Sequence, residues 1–391
     1  MSTAYTDNGV PASHSIAAQL ASVREVMQAE YRKNHSDPWI VAYSGGKDST
    51  LLMQLVWEML LSLDPEDRRR MVYVVANDTL VESPLVIEHL KKSIDVIRRA
   101  AEGMGLPIAT QITKPYIDQT FWVNVIGRGY IPPTRNFRWC TDRMKIQPTN
   151  RLIEELVARH RRAILLVGTR RSESQSRRRN MQKHRVKADK MNPHSSIKGC
   201  RMFAPLADLQ DDDVWMILMQ RKPPWGGSHR NLITLYRNAG GGECPLVLTK
   251  EDAPSCGTTS PRFGCWTCTV VTKDRSMRGT IDSGHPEQDK LEALFRFREW
   301  LIELREDNAN RLPVRRDGRT KTRNDGSRVF GPFTLDVRYS ILNRLHDLED
   351  QIGEQLISRS EIVFIEDIWR HDKAREEGRL ALIEMLGSES V

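Results

Sequence analysis

The sequence contains no apolar run near the roughly 20 residues that a membrane-spanning helix needs, which excludes a chain threaded through a bilayer as helices. The opening MSTAYTDNGVPASHS lacks the hydrophobic stretch of a secretory leader, so a cytoplasmic protein is expected. No internal repeat and no long low-complexity segment is present. Aromatic residues are few, at 7%, yet the hydrophobic share of 39% is enough for a core and excludes disorder of the whole chain. Charge of one sign is not strongly in excess. Lys plus Arg number 59 and Asp plus Glu 51, and the net +8 over 391 residues is a weak pointer to a polyanionic partner. Cysteine is scarce, at six residues. Clustered cysteines in a reducing compartment indicate metal or redox chemistry rather than a disulfide framework.

The length fits two or three packed units. Residues 14 to 32 read as an amphipathic helix leading into the core. Short apolar runs at Pro38–Tyr43, Met71–Ala76, Leu106–Ile112 and Ala163–Gly168 read as strands, and Phe203–Leu206 as a short edge strand. Helical stretches fall between them, from Ser49 to the stop at Asp64-Pro65-Glu66, over residues 84 to 103, and from Asp211 to Gln220. The alternation predicts an α/β fold, a parallel sheet covered by helices on both faces. The expected domains are a helical lead-in over 1–37, a nucleotide domain over 38–240, an irregular cysteine-rich segment over 241–285, and a helical C-terminal region over 286–391. In the last of these, Arg311 to Arg328 reads as an exposed basic loop.

Between the first strand and its helix stands Ser44-Gly45-Gly46-Lys47-Asp48-Ser49. Glycines let the backbone approach phosphate and present successive N–H groups, and a helix N-terminus adds unpaired donors and the positive end of its dipole. Lys47 adds a positive charge, and Ser44 and Ser49 add hydroxyls. Asp48 is tolerable beside phosphate only if it holds Mg²⁺ or orients the loop. The spacing is not that of the Walker loop. It resembles the PP-loop, SGGxDS, of the ATP pyrophosphatase superfamily, whose members cleave ATP between the α- and β-phosphates. Against this stands only an ordinary glycine turn.

A second run, Gly168-Thr169-Arg170-Arg171-Ser172-Glu173-Ser174, follows the fourth strand. A glycine and arginines at a strand's carboxyl end can grip an anion bidentately. The run resembles the G-x-R-x-x-E-S segment of the phosphoadenylyl-sulfate reductase branch, and a solvated basic turn is its plainer reading. Asp78, at the end of the second strand, is a candidate for the nucleotide's adenosine part.

Four cysteines form a cluster, Cys244-x11-Cys256-x8-Cys265-x2-Cys268. Four thiolates suit Zn²⁺ or an iron–sulfur cluster, and spacing alone does not choose. The absence of the two tight pairs of many zinc ribbons tilts the reading toward iron–sulfur. Cys140 stands among Arg138, Arg143 and Lys145, which would lower its thiol pKa if they face it and suit it to carry sulfur. A buried structural cysteine is the alternative.

The segments PWIVAYSGGKDSTLLMQLV, FWVNVIGRGYIPPTRNFRWCTDRMKIQPT, VGTRRSESQSR, PPWGGSHRNLITLYRNAGGGECPLV and SCGTTSPRFGCWTCTVV together resemble the DndC family, the sulfurtransferases of DNA phosphorothioation. The resemblance spans roughly residues 38 to 275. It implies the adenine nucleotide alpha-hydrolase-like PP-loop fold with a cysteine-rich iron–sulfur segment. It also implies ATP with Mg²⁺ and a [4Fe-4S] cluster as cofactors, and activation of a DNA backbone phosphate so that sulfur replaces a non-bridging oxygen. DNA, a cysteine desulfurase as the sulfur source, and DndD- and DndE-type proteins are the implied partners, with no membrane. On this resemblance Ser44, Gly45, Gly46, Lys47, Asp48 and Ser49 hold the ATP phosphates, and Cys244, Cys256, Cys265 and Cys268 hold the cluster. Asp78, Gly168, Arg170 and Arg171 are further candidates for the nucleotide site, and Lys47, Asp48, Cys140 and Arg170 for the chemistry. Two basic stretches, Arg170 to Lys190 with nine Lys or Arg and Arg315 to Arg328 with six, are candidate DNA contacts or simply solvated faces. A reductase of phosphoadenylyl or adenylyl sulfate shares the loop and the arginine run. A non-enzymatic nucleic-acid-binding protein with a structural zinc held by the four cysteines is the third reading.

Overall fold

The computed structural model describes residues 16–239 and 264–388, with side chains up to residue 373 in the last helix and excepting that of Ser176. Cys244 and Cys256 lie outside the described residues. The chain divides into two compact units, neither contiguous in sequence. The first comprises Met1–Asn77, Pro84–Thr113 and Thr149–Phe263, and the second Asp78–Ser83, Lys114–Pro148 and Gly264–Val391.

The first unit is built on a six-stranded sheet. Its strands are β1 (Trp39–Ala42), β2 (Val72–Asn77), β3 (Ile108–Thr113), β4 (Ala163–Leu166), β5 (Asn192–Pro193) and β6 (Cys200–Phe203), in the order β3-β2-β1-β4-β6-β5. All pairings are parallel except that of β5 with β6. The helices are α1 (Ile16–Tyr31), α2 (Lys47–Leu61), α3 (Pro84–Gly103), α5 (Gln147–His160, after the short turn α4, Trp139–Thr141), α6 (Gln175–Lys183), α7 (Asp211–Gln220) and α8 (Arg230–Ala239).

The strand sequences explain the two-sided burial. Side chains alternate across a sheet, so a strand covered on both faces must be apolar throughout. Trp39 and Val41 of β1, Val72 and Val74 of β2, and Ile164 and Leu166 of β4 join one core, with Leu51, Leu55 and Trp57 of α2 and Trp215 of α7. Ile40, Val75, Ala163 and Leu165 face the other side and pack with Leu152, Ile153 and Leu156 of α5. Helix α2 is buried on almost every side, as its unbroken apolar sequence requires of a central helix.

Two expectations change here. Phe203–Leu206 is not an edge strand. Pro205 has no N–H to donate and the strand stops at Phe203, while β6 begins earlier, at Cys200, and the edge belongs to β5. Residues 311 to 328 are also more regular than a loop. They carry an antiparallel pair, β7 (Lys321–Thr322) and β8 (Arg328–Val329).

The second unit contains this hairpin, α4, a π-helical turn over Val123–Gly127, and helices α9 (Arg275–Asp282), α10 (Gln288–Glu306), α11 (Leu335–Ile352) and α12 (Arg359–Ser388). Gly127 lets α12 come close, because a Cβ there would lie 3.0 Å from the Ile368 side chain. Indole N–H groups fasten the ends of this packing, Trp122 to the Leu356 carbonyl at 2.8 Å and Trp369 to that of Ile126 at 2.9 Å.

Candidate nucleotide and thiol sites

Strand order reverses beside β1, whose neighbours are β2 and β4. In open α/β sheets such a switch point opens a crevice at the carboxyl ends of the strands, and ligands bind there. The loop Ser44–Ser49 leaves β1 at this place, and Gly168–Arg171 leaves β4.

The loop is held by its own hydroxyls and by a left-handed glycine, Gly45, at φ 73°. Ser49 Oγ donates to the Gly46 carbonyl at 3.0 Å and accepts the Ser44 N–H at 3.2 Å. Gly46 is the N-cap of α2 and offers no side chain to its first N–H groups, so those beyond Lys47 are the donors that this helix start presents to a ligand. The Lys47 N–H itself donates to the phenol oxygen of Tyr236 on α8, at 3.4 Å. The β4 turn presses directly on the loop. A Cβ on Gly168 would stand 2.9 Å from the Asp48 carbonyl oxygen, so only glycine fits.

Four charged side chains meet beside the loop. Lys47 Nζ lies 3.4 Å from Asp48 Oδ2 and 3.1 Å from Asp211 Oδ1. The Arg170 guanidinium, fully buried, donates from Nε to Asp48 Oδ1 at 2.7 Å and from Nη2 to Asp211 Oδ1 at 2.6 Å. Its Nη1 donates to Ser172 Oγ at 2.7 Å and to the Leu209 carbonyl at 3.3 Å. Burial alone would raise the Asp211 carboxyl, but Lys47 and then Arg170 outweigh it and hold that carboxyl below the ordinary aspartate range. Burial opposes the charge of Arg170, yet Asp48 and Asp211 reverse the effect and raise its pKa.

This arrangement corrects the expected role of Arg170. All three of its nitrogens are engaged within the protein, so it does not reach out to grip an anion; it sets the two aspartates in place. Arg171 also turns away from the loop, to Asp208 and the Val186 carbonyl. Lys47 is the cation of the loop itself. Asp48 and Asp211 supply the oxygen donors that Mg²⁺ prefers, so the residues present fit that ion. Sequence reasoning missed Asp211 and Tyr236. The only signal for Asp211 was its place in an aspartate triplet opening α7, a pattern that ordinary helix-dipole pairing also explains.

The thiols belong to the second unit. Cys265-Trp266-Thr267-Cys268 is a tight turn, closed by the Cys268 N–H on the Cys265 carbonyl at 3.0 Å. The segment Asp78–Ser83 carries it. Trp266 N–H donates to the Val81 carbonyl at 3.0 Å, Ser83 N–H to that of Gly264 at 3.2 Å, and Thr79 Oγ1 lies 3.4 Å from Cys265 Sγ. Trp266 is buried against Trp122 and Phe297, with ring centroids 5.8 Å apart in each case. Arg298, fully buried, donates to the Cys268 carbonyl at 2.7 Å. Asp78 is part of the same segment, and its carboxylate accepts the Leu80 N–H at 2.9 Å, an Asx-type turn.

Cys140 is in this unit too, close enough to Cys268 that the two thiolates would repel. Lys145 pairs with Glu82 at 2.9 Å and feels the charge of both Cys265 and Cys140. The expected low thiol pKa of Cys140 does not hold. Burial first, and Cys268 second, push it up, and Lys145 offsets them only in part. Arg138 is exposed, and Arg143 is engaged with Gln119 and Tyr130. Burial also raises the Cys265 thiol strongly. Among the described residues no three His, Cys, Asp or Glu side chains converge as a complete metal site. The donors are nevertheless of the right kind for an iron–sulfur cluster: two thiols across a tight turn with a third beside them.

The phosphoadenosine phosphosulfate reductase domain model matches residues 38–271, which hold both the loop and the Cys265–Cys268 turn. The chain belongs to that family. An uncharacterized protein of Methanocaldococcus jannaschii is 28% identical over 188 residues, 48% of this chain. The chain spans about a third (32%) of the length of that curated relative. Solved structures similar to the chain include the U34-tRNA thiolase NcsA from Methanococcus maripaludis with its [4Fe-4S] cluster. It is 13% identical, with TM-score 0.38, over 78% of this chain and 89% of that one. Phosphoadenylyl-sulfate reductase from Candida auris is 14% identical, with TM-score 0.33, over 56% and 89% respectively. No helix among the described residues is long and apolar enough to cross a membrane.

Proposed function

We propose that this family member is a DNA phosphorothioation enzyme, a DndC-type sulfurtransferase that splits ATP to AMP and pyrophosphate to activate a backbone phosphate. The observation that carries the reading is the pairing of two chemistries in one chain: a PP-type loop with Lys47 between two carboxylates, and a thiol group of Cys140, Cys265 and Cys268 in the second unit.

A non-bridging oxygen of a phosphodiester is a poor leaving group. Its attack on the ATP α-phosphorus expels pyrophosphate and makes the DNA phosphate part of an anhydride. A sulfur nucleophile then attacks the DNA phosphorus, and AMP leaves with the replaced oxygen. The N–H groups of Gly45, Gly46, Asp48 and Ser49 and the Lys47 ammonium offset charge that builds on the α- and β-phosphates. Asp48 and Asp211 would hold Mg²⁺, which when bound neutralises phosphate charge. Arg170 keeps both carboxylates in position. Cys265 and Cys268, with Cys140 or with Cys244 and Cys256, would hold a [4Fe-4S] cluster, which when bound supplies a redox-active centre. A cysteine desulfurase is the proposed source of the sulfur, and DndD- and DndE-type proteins are the proposed partners.

The test is mass spectrometry of nuclease-digested DNA from cells carrying the chain and its partners. Phosphorothioate dinucleotides are expected, and they should vanish in Lys47→Ala. Labelled ATP should give AMP. ADP and orthophosphate as the main products, or turnover of adenylyl sulfate with no sulfur in DNA, would refute the reading.

A further inference from the structure

The second unit carries a basic arm that the sites above do not use. Its base is a ladder. Leu312 N–H donates to the Pro332 carbonyl at 2.8 Å, Gly331 N–H to that of Leu312 at 2.7 Å, and Arg311 Nε to that of Gly331 at 3.0 Å. Arg316 anchors the near end, with Nη1 and Nη2 on Asp372 at 3.1 and 3.0 Å. Beyond this base every residue from 317 to 328 is exposed. The hairpin itself is short and regular: Lys321 pairs with Val329 and Thr322 with Arg328, and the Arg323 N–H meets the Ser327 carbonyl at 2.8 Å.

Residues 317 to 328 hold four cations, Arg319, Lys321, Arg323 and Arg328, against Asp317 and Asp325. Both aspartates accept a backbone N–H within the turns, and Asp325 also accepts the Ser327 hydroxyl at 2.6 Å. Asp317 accepts the Arg319 N–H at 3.1 Å, and Asp325 accepts the Ser327 N–H at 2.9 Å. None of the four cations has an ion pair among the described residues. Arg323 Nη1 donates to Ser327 Oγ at 3.3 Å across the exposed turn, and its charge also reaches Asp325; the ribbon's cations otherwise face solvent.

Their distribution over the ribbon specifies the partner. Opposite residues of an antiparallel pair share a face, and so do residues two apart along a strand. Lys321 and Arg323 therefore lie on one face and Arg328 on the other. A ribbon that lies flat on a polyanion needs cations on one face only. A ribbon with cations on both faces suits a slot with anions on either side. The major groove of B-form DNA is such a slot, about 12 Å wide and walled by two phosphate backbones, and it admits a two-stranded ribbon. The A-form RNA major groove is too narrow for one.

We infer that the arm over residues 317–328 enters the major groove of duplex DNA and contacts phosphates on both walls, holding the substrate for the proposed reaction. The inference rests on the DNA reading above and names the surface that binds.

The experiment measures fluorescence anisotropy of the full chain with a labelled 20-base-pair DNA duplex, roughly two helical turns, across a salt series. Three variants are compared with the unaltered chain: all four cations changed to Ala, Arg328→Ala alone, and the charge-preserving Arg319→Lys, Arg323→Lys and Arg328→Lys together. Each phosphate contact adds about 0.9 to the slope of log affinity against log salt. The quadruple Ala variant should lose about 3.6 from that slope, the single variant about 0.9, and the Lys variant almost nothing. Thermal melting should be unchanged, since the side chains are exposed. If the unaltered chain binds no duplex at any salt, the DNA reading itself fails and the arm's role with it. If the chain binds DNA but the quadruple variant keeps its slope and affinity, the arm is not the contact. Equal losses on an A-form RNA duplex would overturn insertion in the groove and leave only general attraction to phosphate.

Discussion

Arg170→Ala separates a positioning arginine from one that grips ATP. The substitution leaves Asp48 and Asp211, both bonded to the guanidinium, with Lys47 as the cation that still pairs with them. Removing one partner of a buried ion pair costs about 3–5 kcal/mol. The Asp211 side chain is 41% exposed and Asp48 19%, so water screens both and the low end applies, about 3 kcal/mol. For a unit of this size that lowers the melting point by about 6–12 °C. Calorimetry of the full chain reads it, with and without MgATP. ATP should still bind, more weakly, because Lys47 is now drawn harder to the carboxylates. Acidification gives a second signature. The Asp211 carboxyl is depressed in the folded chain, so the unfolded chain takes up its proton first as the pH falls below the ordinary aspartate value of about 3.9. The stabilisation is present above that value and is lost as the pH falls through the folded pKa. Without Arg170 the depression shrinks, so the variant's melting point should fall less steeply below pH 4 than that of the unaltered chain. A variant that melts and titrates like the unaltered chain, yet no longer binds ATP, would refute the positioning role and make Arg170 an ATP ligand.

Three other outcomes are expected. Gly168→Ala pushes a methyl to within 2.9 Å of the Asp48 carbonyl, so it should destabilise by about 1–3 kcal/mol and weaken ATP binding, measured by calorimetry; unchanged ATP affinity would show that the loop yields freely. Cys140→Ser should abolish phosphorothioate formation, and iron analysis of anaerobically purified protein then assigns its role: lost iron means a cluster ligand, retained iron a sulfur carrier, and normal phosphorothioate yield removes it from the mechanism. Trp266→Ala takes away the buried ring between Trp122 and Phe297 and should cost about 3–5 kcal/mol, with iron binding lost alongside; a melting point near that of the unaltered chain would disprove the support assigned to this ring.

Much of the nucleotide half was legible because its signals are local. The run from β1 through the glycines into α2 reads directly, since strand, turn and helix follow one another within 25 residues and each has its own pattern. Helix α3 and helix α7 begin and end where the periodicity placed them. The second carboxylate beside Lys47 and Arg170 did not read. Asp211 lies far along the chain, and a triplet of aspartates at a helix start has an ordinary electrostatic explanation. The environment of Cys140 was misjudged for a related reason. Arg138, Arg143 and Lys145 are close in sequence, but a helical path turns them in different directions, and only Lys145 faces the thiols. Neighbours in sequence are a poor guide to charge on a helix, whereas the thiol of Cys268, distant in sequence, acts on Cys140 directly.

The interleaving of the two units has a topological cause. Parallel strands β1, β2, β3 and β4 all end at the same edge of their sheet, and each is followed by a connection that leaves from that edge. After β1 comes the Ser44–Ser49 loop, and after β4 the Gly168–Arg171 turn. After β2 comes Asp78–Ser83, which carries the Cys265 turn, and after β3 comes the stretch that contains Cys140. β1 and β4 thus lead into the loop and the positioning arginine of the first unit, while the connections after β2 and β3 belong to the second unit. The second unit therefore takes sequence from between the strands of the first as well as from the C-terminal part of the chain.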